Sequence, residues 1–351
     1  MRALLTWGLA LLLTACGASE PPGVTTLIYA TPYAPGHPFS LADKTWIKWV
    51  ESQSSGSLRI HPVWSGALIS SDQSITELRH GVADIGLITP IYAKGGERFI
   101  KVQTAFYGGA TTYAQQVALY RCLEQRSPLF DDELRGLKVL AVQGGTLPGV
   151  LLRNHPFNSL EDFHGLRIRA PTELLNVLRD LGADPVNMPM SEVYSALAKG
   201  VLDGVIAPTD ALKSMHFGDV AHYYTALSVP RGAYPARAMG ERRWASLSQQ
   251  QRDLLERSIP IWEAAMAEQT NAAVASGEAQ GRKDGVQFLS IDPAEQRRFD
   301  ALYERDAESN ARTLQAAGVD AVPVFEAARS IARSITPQGA VNCQAGSRTD
   351  R

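Results

Sequence analysis

Residues 159–208 read SLEDFHGLRIRAPTELLNVLRDLGADPVNMPMSEVYSALAKGVLDGVIAP, and their pattern is strand, helix, turn, helix, strand. Leu166 and Ile168 alternate with Arg167 and Arg169, so a period of two turns the apolar pair towards a core. Pro171 has no N–H to give to a ladder and ends the strand, leaving Arg169 at its mouth. A helix over residues 174–181 stops at Gly182. Ser191 caps a shorter helix with Val193 and Leu197 on one face, and Gly200 stops it. Residues 201–206 then form a buried strand in which Asp203 and Gly204 make a backbone bend, a structural role for Asp203. The guanidinium of Arg169 offers a planar fork of donors suited to a carboxylate. Its place, the carboxyl end of a strand in an α/β sheet, is where ligands bind. Periodicity alone favours a solvated or structural arginine, which is the reading that Arg167 takes.

Outward from this stretch, short apolar strands alternate with helices. Residues 27–30 are a first buried strand, and a turn over 32–38 leads into a helix capped near Ser40. Strands follow at 58–64, 82–88 and 137–142, with helices at 70–80 and 111–126 between them. This alternation argues for an α/β fold with a mostly parallel sheet. Residues 144–149, GGTLPG, form a flexible crossing point or a ligand-facing loop without the spacing of a dinucleotide fingerprint. Beyond the central stretch, 226–229 and 236–239 are strands. Ser248 and Gln251 make a capping box for a helix towards Asp284, which Pro260 should kink or interrupt. Asp292, Pro293 and Glu295 open another helix that ends at Gly318, and 324–335 is a last amphipathic one.

The 351 residues suffice for two lobes, and 45% apolar with 20% charged residues is ordinary for a globular chain. A formal net charge of −2 gives no basic footprint for nucleic acid. No His-Cys spacing suggests zinc, and no cofactor motif is present. No GxSxG, HExxH or Cys-His arrangement points to an enzyme. At the start, Arg2 precedes an apolar run over residues 3–13, too short to span a bilayer, so residues 1–15 read as a signal peptide. LTAC over residues 13–16 resembles the bacterial lipobox, which implies a lipid on Cys16, a membrane-anchored periplasmic protein and a tether over 16–26. The plain alternative is a signal peptide that happens to end near a cysteine. Cys122 and Cys343 either pair in an oxidising compartment, pinning the tail of residues 336–351, or stay unpaired.

DFHGLRIRAP over residues 162–171 is similar to "DLKGLKIRVP", GADPVNMPMSEVYSAL over 182–197 to "GANPVPMPFSEVYTAL", and KGVLDG over 199–204 to "TGVVDG". These motifs resemble the solute-binding proteins of tripartite ATP-independent periplasmic (TRAP) transporters, the DctP-like family. The likeness extends over about residues 27–335. It implies a periplasmic-binding-protein-like α/β fold: two lobes with crossing strands, long C-terminal helices and a ligand cleft between the lobes. Lobe 1 is expected over about 27–142 with part of 226–335, and lobe 2 over about 143–240. The resemblance also implies that Arg169 pairs with a ligand carboxylate and that the partners are TRAP membrane subunits.

Departures from the family pattern fall where ligands are chosen. A second arginine of acid-binding members corresponds to Leu147, a site asparagine to Ala207 with Ile206 beside it, an aromatic residue to Met190, and a polar site residue to Thr89. One arginine and an apolar wall suit a monocarboxylate with an apolar or aromatic body, because a second buried, unpaired carboxylate would cost several kcal/mol. Tyr29, Thr31, Tyr33 and His37, at the end of the first strand, are further candidates for the pocket, and Arg231 for a second charge. A receptor that reports the solute to a signalling partner needs the same cleft and is the alternative to transport.

Overall fold

The computed structural model describes residues 23–336 and 338–346. Cys16 and residues 1–15 lie outside them. Eleven strands occur among the described residues: β1 Thr25–Ala30, β2 Leu58–Val63, β3 Ile85–Leu87, β4 Leu137–Gln143, β5 Gly149–Leu152, β6 Arg167–Arg169, β7 Asp184–Val186, β8 Gly204–Ala207, β9 Tyr223–Ala226, β10 Tyr234–Gly240 and β11 Gln287–Ser290.

They form two sheets, of order β2-β1-β3-β10-β4 and β11-β9-β5-β8-β6-β7. Each sheet is parallel except for one strand, β10 in the first and β5 in the second, which runs antiparallel to both neighbours. Both are entered by a short link from the other sheet, whereas the third crossing, from β10 to β11, runs through helices and gives a parallel strand. The chain leaves the first sheet through β4 and enters the second at β5; it leaves through β9 and returns at β10. Tyr234–Gly240, which lies where the two expected lobe ranges overlap, pairs with β3 and β4 in the first sheet. Prolines obey the ladder's donor requirement: Pro62 and Pro185 lie on the edge strands β2 and β7, and Pro235 at a register shift in β10.

Helices cover the sheets. Pro38–Gln53 starts one turn earlier than the Ser40 expectation, because the ring nitrogen of His37 accepts the Phe39 N–H and Pro38 fills a position that needs no donor. Met190–Ala198 begins after Pro189 rather than at Ser191. Of the two outcomes open at Pro260 the structure has the interruption: the helix ends at Arg257, and a new one, Ile259–Lys283, begins with Pro260 in its first turn. At ~1.5 Å per residue this second helix is roughly 37 Å long, enough to reach from one lobe to the other. Near its start, Trp262 stacks on Trp46 with ring centroids 3.7 Å apart. Near its end, Gly277 sits so tightly on the second lobe that a Cβ there would lie 2.2 Å from the Thr209 carbonyl oxygen.

The first lobe's core contains a buried charge. Asp43 accepts from the Tyr29 hydroxyl, from Nε of Arg237 and from Nε1 of Trp262, with both ionic side chains wholly buried. A disulfide joins Cys122, on the helix Tyr113–Glu124, to Cys343, and so ties the tail to the body.

Candidate functional site

Because the parallel strands of both lobes point their carboxyl ends inward, the segments after β1, β3, β6 and β8 converge on one cleft. The links between the lobes, residues 144–148 and 227–233, form its floor. Its volume is about 110 Å³. At roughly 10–15 Å³ per water-sized occupant, that admits on the order of ten heavy atoms.

Arg169 ends β6 and is 3% exposed. Its Nε donates to the Met188 carbonyl at 3.0 Å and its Nη2 to the hydroxyl of Tyr92, whose ring lies 5.3 Å from the guanidinium carbon. Nη1 makes no hydrogen bond to a described residue. Tyr92 follows β3 of the first lobe, so this contact bridges the two lobes. A second bridge runs from the Thr172 hydroxyl to the Ile91 carbonyl at 2.8 Å. The lobes are closed.

Of the other candidates, Thr89, Tyr33, His37, Met190 and Arg231 also line the cleft. The Thr89 hydroxyl is buried without a partner. His37 stacks on Tyr33 at 4.1 Å and packs its edge against Phe39, giving an aromatic wall. Burial, helped by the charge of Arg237, pushes the His37 imidazole down to about 3, so it is neutral. Since Nδ1 accepts the Phe39 N–H, the proton sits on Nε2. Arg231 makes no ion pair or hydrogen bond to a described residue. Its guanidinium passes over Gly145, where a Cβ would come 2.5 Å from Nη1.

Four candidates fall elsewhere. Tyr29 is wholly buried, with its hydroxyl committed to Asp43. Thr31 is buried in the turn, its hydroxyl oxygen accepting the Tyr33 N–H. Ala207 faces the core behind the second sheet, because strand alternation gives the cleft to Ile206 instead. Leu147 points away from the cleft into a separate cavity behind the links, while Thr146 takes the cleft side.

Sequence reasoning missed Tyr92, Glu173 and Asp210, which all line the cleft. Their shared signal is position: each follows the carboxyl end of a strand, as Arg169 does. Burial is the main influence raising the carboxyl pKa of both acids, to about 6 for Asp210, against the pull of Arg231 on each. Among the described residues, no group of three His, Cys, Asp or Glu could hold a metal ion, and no helix is long and apolar enough to cross a membrane. The arrangement offers a guanidinium with one free nitrogen, an aromatic and aliphatic body, and a polar floor.

Comparison with known proteins gives a match to the model of DctP, the bacterial extracellular solute-binding protein family 7, over residues 29–312. The sialic acid-binding periplasmic protein SiaP of Vibrio cholerae is 33% identical over 108 residues, 30% of this chain. That match spans 33% of SiaP's own length. Among solved structures, a TRAP solute-binding protein from Rhodoferax ferrireducens with copurified benzoate superposes with a TM-score of 0.81. It is 21% identical and covers 88% of this chain and 98% of its own. A TRAP periplasmic solute-binding protein from Bordetella bronchiseptica, with (R)- and (S)-mandelate bound, gives 0.77 at 20% identity, covering 89% and 100%. At these identities the likeness is one of fold.

Proposed function

The chain belongs to the bacterial extracellular solute-binding proteins of family 7, and from that premise we propose that it captures a small organic monocarboxylate through Arg169 and delivers it to the membrane subunits of a TRAP transporter. The observation that carries this is the guanidinium of Arg169: buried at a strand's carboxyl end, between two closed lobes, with Nη1 left for a ligand. An aqueous carboxylate entering the cleft loses its hydration. Only a charge-assisted hydrogen bond of good geometry offsets that loss.

The ligand body faces Tyr33, Phe39 and His37 on one side and Leu174, Met190 and Ile206 on another. An aromatic ring suits these walls, and benzoate and mandelate in the two neighbours of like fold support that class. A second ligand carboxylate is disfavoured. The remaining cleft cation, Arg231, already stands in the field of Glu173 and Asp210, so a further negative charge would meet two acids.

The test is binding of benzoate and mandelate, measured by calorimetry, to the wild type and to Arg169→Ala. Leaving a buried carboxylate unpaired costs ~2–5 kcal/mol, so the variant should bind at least about thirtyfold more weakly. Unchanged affinity refutes the clamp. Cys16 completes the proposal as the site of a lipid that holds the receptor at a membrane. Intact mass of protein extracted from its native membrane should exceed that of the chain cut before Cys16 by a diacylglyceryl group, and an unmodified mass refutes the anchor.

A further inference from the structure

One carboxyl oxygen in the cleft has no hydrogen-bond partner among the described residues. Glu173 lies in the turn Thr172–Leu174, two residues past Pro171, and is 6% exposed while lining the cavity. Its Oε2 is buried with no hydrogen bond, and no Lys, Arg or His of the described residues comes within ion-pair distance of the carboxyl group. The Glu173 main-chain N–H and the Thr104 hydroxyl, which donates to the Lys101 carbonyl at 3.1 Å, lie close enough to draw the carboxyl pKa down, but neither reaches Oε2. A buried carboxyl oxygen without a hydrogen bond is costly, and native structures retain such groups where something else completes them.

We propose that Glu173 accepts a hydrogen bond from a hydroxyl group of the bound acid, so that the ligand is a hydroxycarboxylate. This rests on the reading of the cleft as a carboxylate site. The chemistry of the missing partner follows by elimination. A second carboxylate is repelled by Glu173 itself. An ammonium group is repelled by Arg169 and Arg231, both of which act on the Glu173 carboxyl through their fields. An apolar group would leave the carboxyl oxygen as bare as it is now. A neutral donor remains, and a hydroxyl on a small organic acid supplies one at little cost in charge. Arg169 would then hold one end of the ligand while Glu173 reads a substituent on its body, giving the site a specificity that a single guanidinium cannot supply.

The experiment uses matched pairs differing by one hydroxyl: benzoate with 3-hydroxybenzoate and with 4-hydroxybenzoate, and phenylacetate with mandelate. Dissociation constants are measured for the wild type, Glu173→Met and Glu173→Gln, with folding of each checked by thermal unfolding. A hydrogen bond to a charged group corresponds to about tenfold or more. The expected result is that at least one hydroxy acid binds wild type about tenfold more tightly than its parent. Glu173→Met should reduce that ratio to about one, and Glu173→Gln, whose amide oxygen still accepts, should keep most of it. A wild type that binds the parents and their hydroxy forms equally overturns the proposal, as does a preference that survives in Glu173→Met. Should Glu173→Met not fold, loss or reversal of the ratio in Glu173→Gln against wild type decides the same point by its size: a ratio unchanged within twofold supports acceptance by oxygen, and an inverted one overturns it. If no acid of either kind binds wild type, the carboxylate reading falls, and this one with it.

Discussion

Asp210 shows how a single residue couples the cleft to pH. Burial raises its carboxyl to about 6, while a hydrogen bond from the Ser214 hydroxyl and the field of Arg231 pull it back. In the unfolded chain an aspartate titrates near ~3.9. Between those values the folded state holds more protons than the unfolded one, so stability falls as pH rises through the window. The loss is complete above about 6. Asp210→Asn cannot ionise and escapes it. Its melting temperature should therefore gain on the wild type between pH 4 and pH 7.5, with most of the gain below pH 6.5. A difference that stays flat with pH would refute the assignment. Glu173, pushed in the same direction, leaves the sign intact in both proteins.

At the scale of elements, most of the fold was legible and the cleft only partly so. Apolar runs locate β1, β2, β3, β4, β6, β8 and β10 but not β5, β7 or β11, and they put β9 at 226–229 instead of Tyr223–Ala226; the caps at Ser248 and Asp292 locate helix starts, because caps are local devices. Arg169 was legible for the same reason: Leu166, Ile168 and Pro171 fix its strand, face and end. The errors have one cause. A strand's end says that a residue is near the cleft, not which side of the sheet or link it takes. Tyr29 went to the core because Asp43 needs its hydroxyl, and Leu147 turned away where Thr146 turned in. Which strand joins which sheet is likewise tertiary, and β10 pairs with β3 and β4 although its chain neighbours lie in the other lobe. The unpaired state of Glu173 is a property of the space around it, and no spacing in the sequence encodes that.

For the whole molecule, opening and closing is a contest between few bonds. The Arg169–Tyr92 and Thr172–Ile91 contacts bridge the lobes, the neutral one contributing ~0.5–1.5 kcal/mol net and the charge-assisted one ~1.5–3 kcal/mol. These are few bonds for so large an opening, and a ligand touching both lobes adds its whole differential affinity to the closed form. Small-angle X-ray scattering should give a smaller radius of gyration with saturating ligand than without. Ligand at 100 times its dissociation constant should stabilise the fold by about 2.7 kcal/mol. An unchanged radius would refute ligand-driven closure.

The floor of the cleft has a consequence of its own. The links at 144–148 and 227–233 join the two sheets, so any hinge between the lobes must run through them, and they also line the cleft with Gly145, Thr146 and Arg231. Residence time and preference are thus written in the same residues. A lineage that altered these links to adopt a new nutrient would change how fast it lets go of the old one. Met190 and Ile206, which line the walls away from the links, are the positions where taste could drift while the tempo of uptake stays constant.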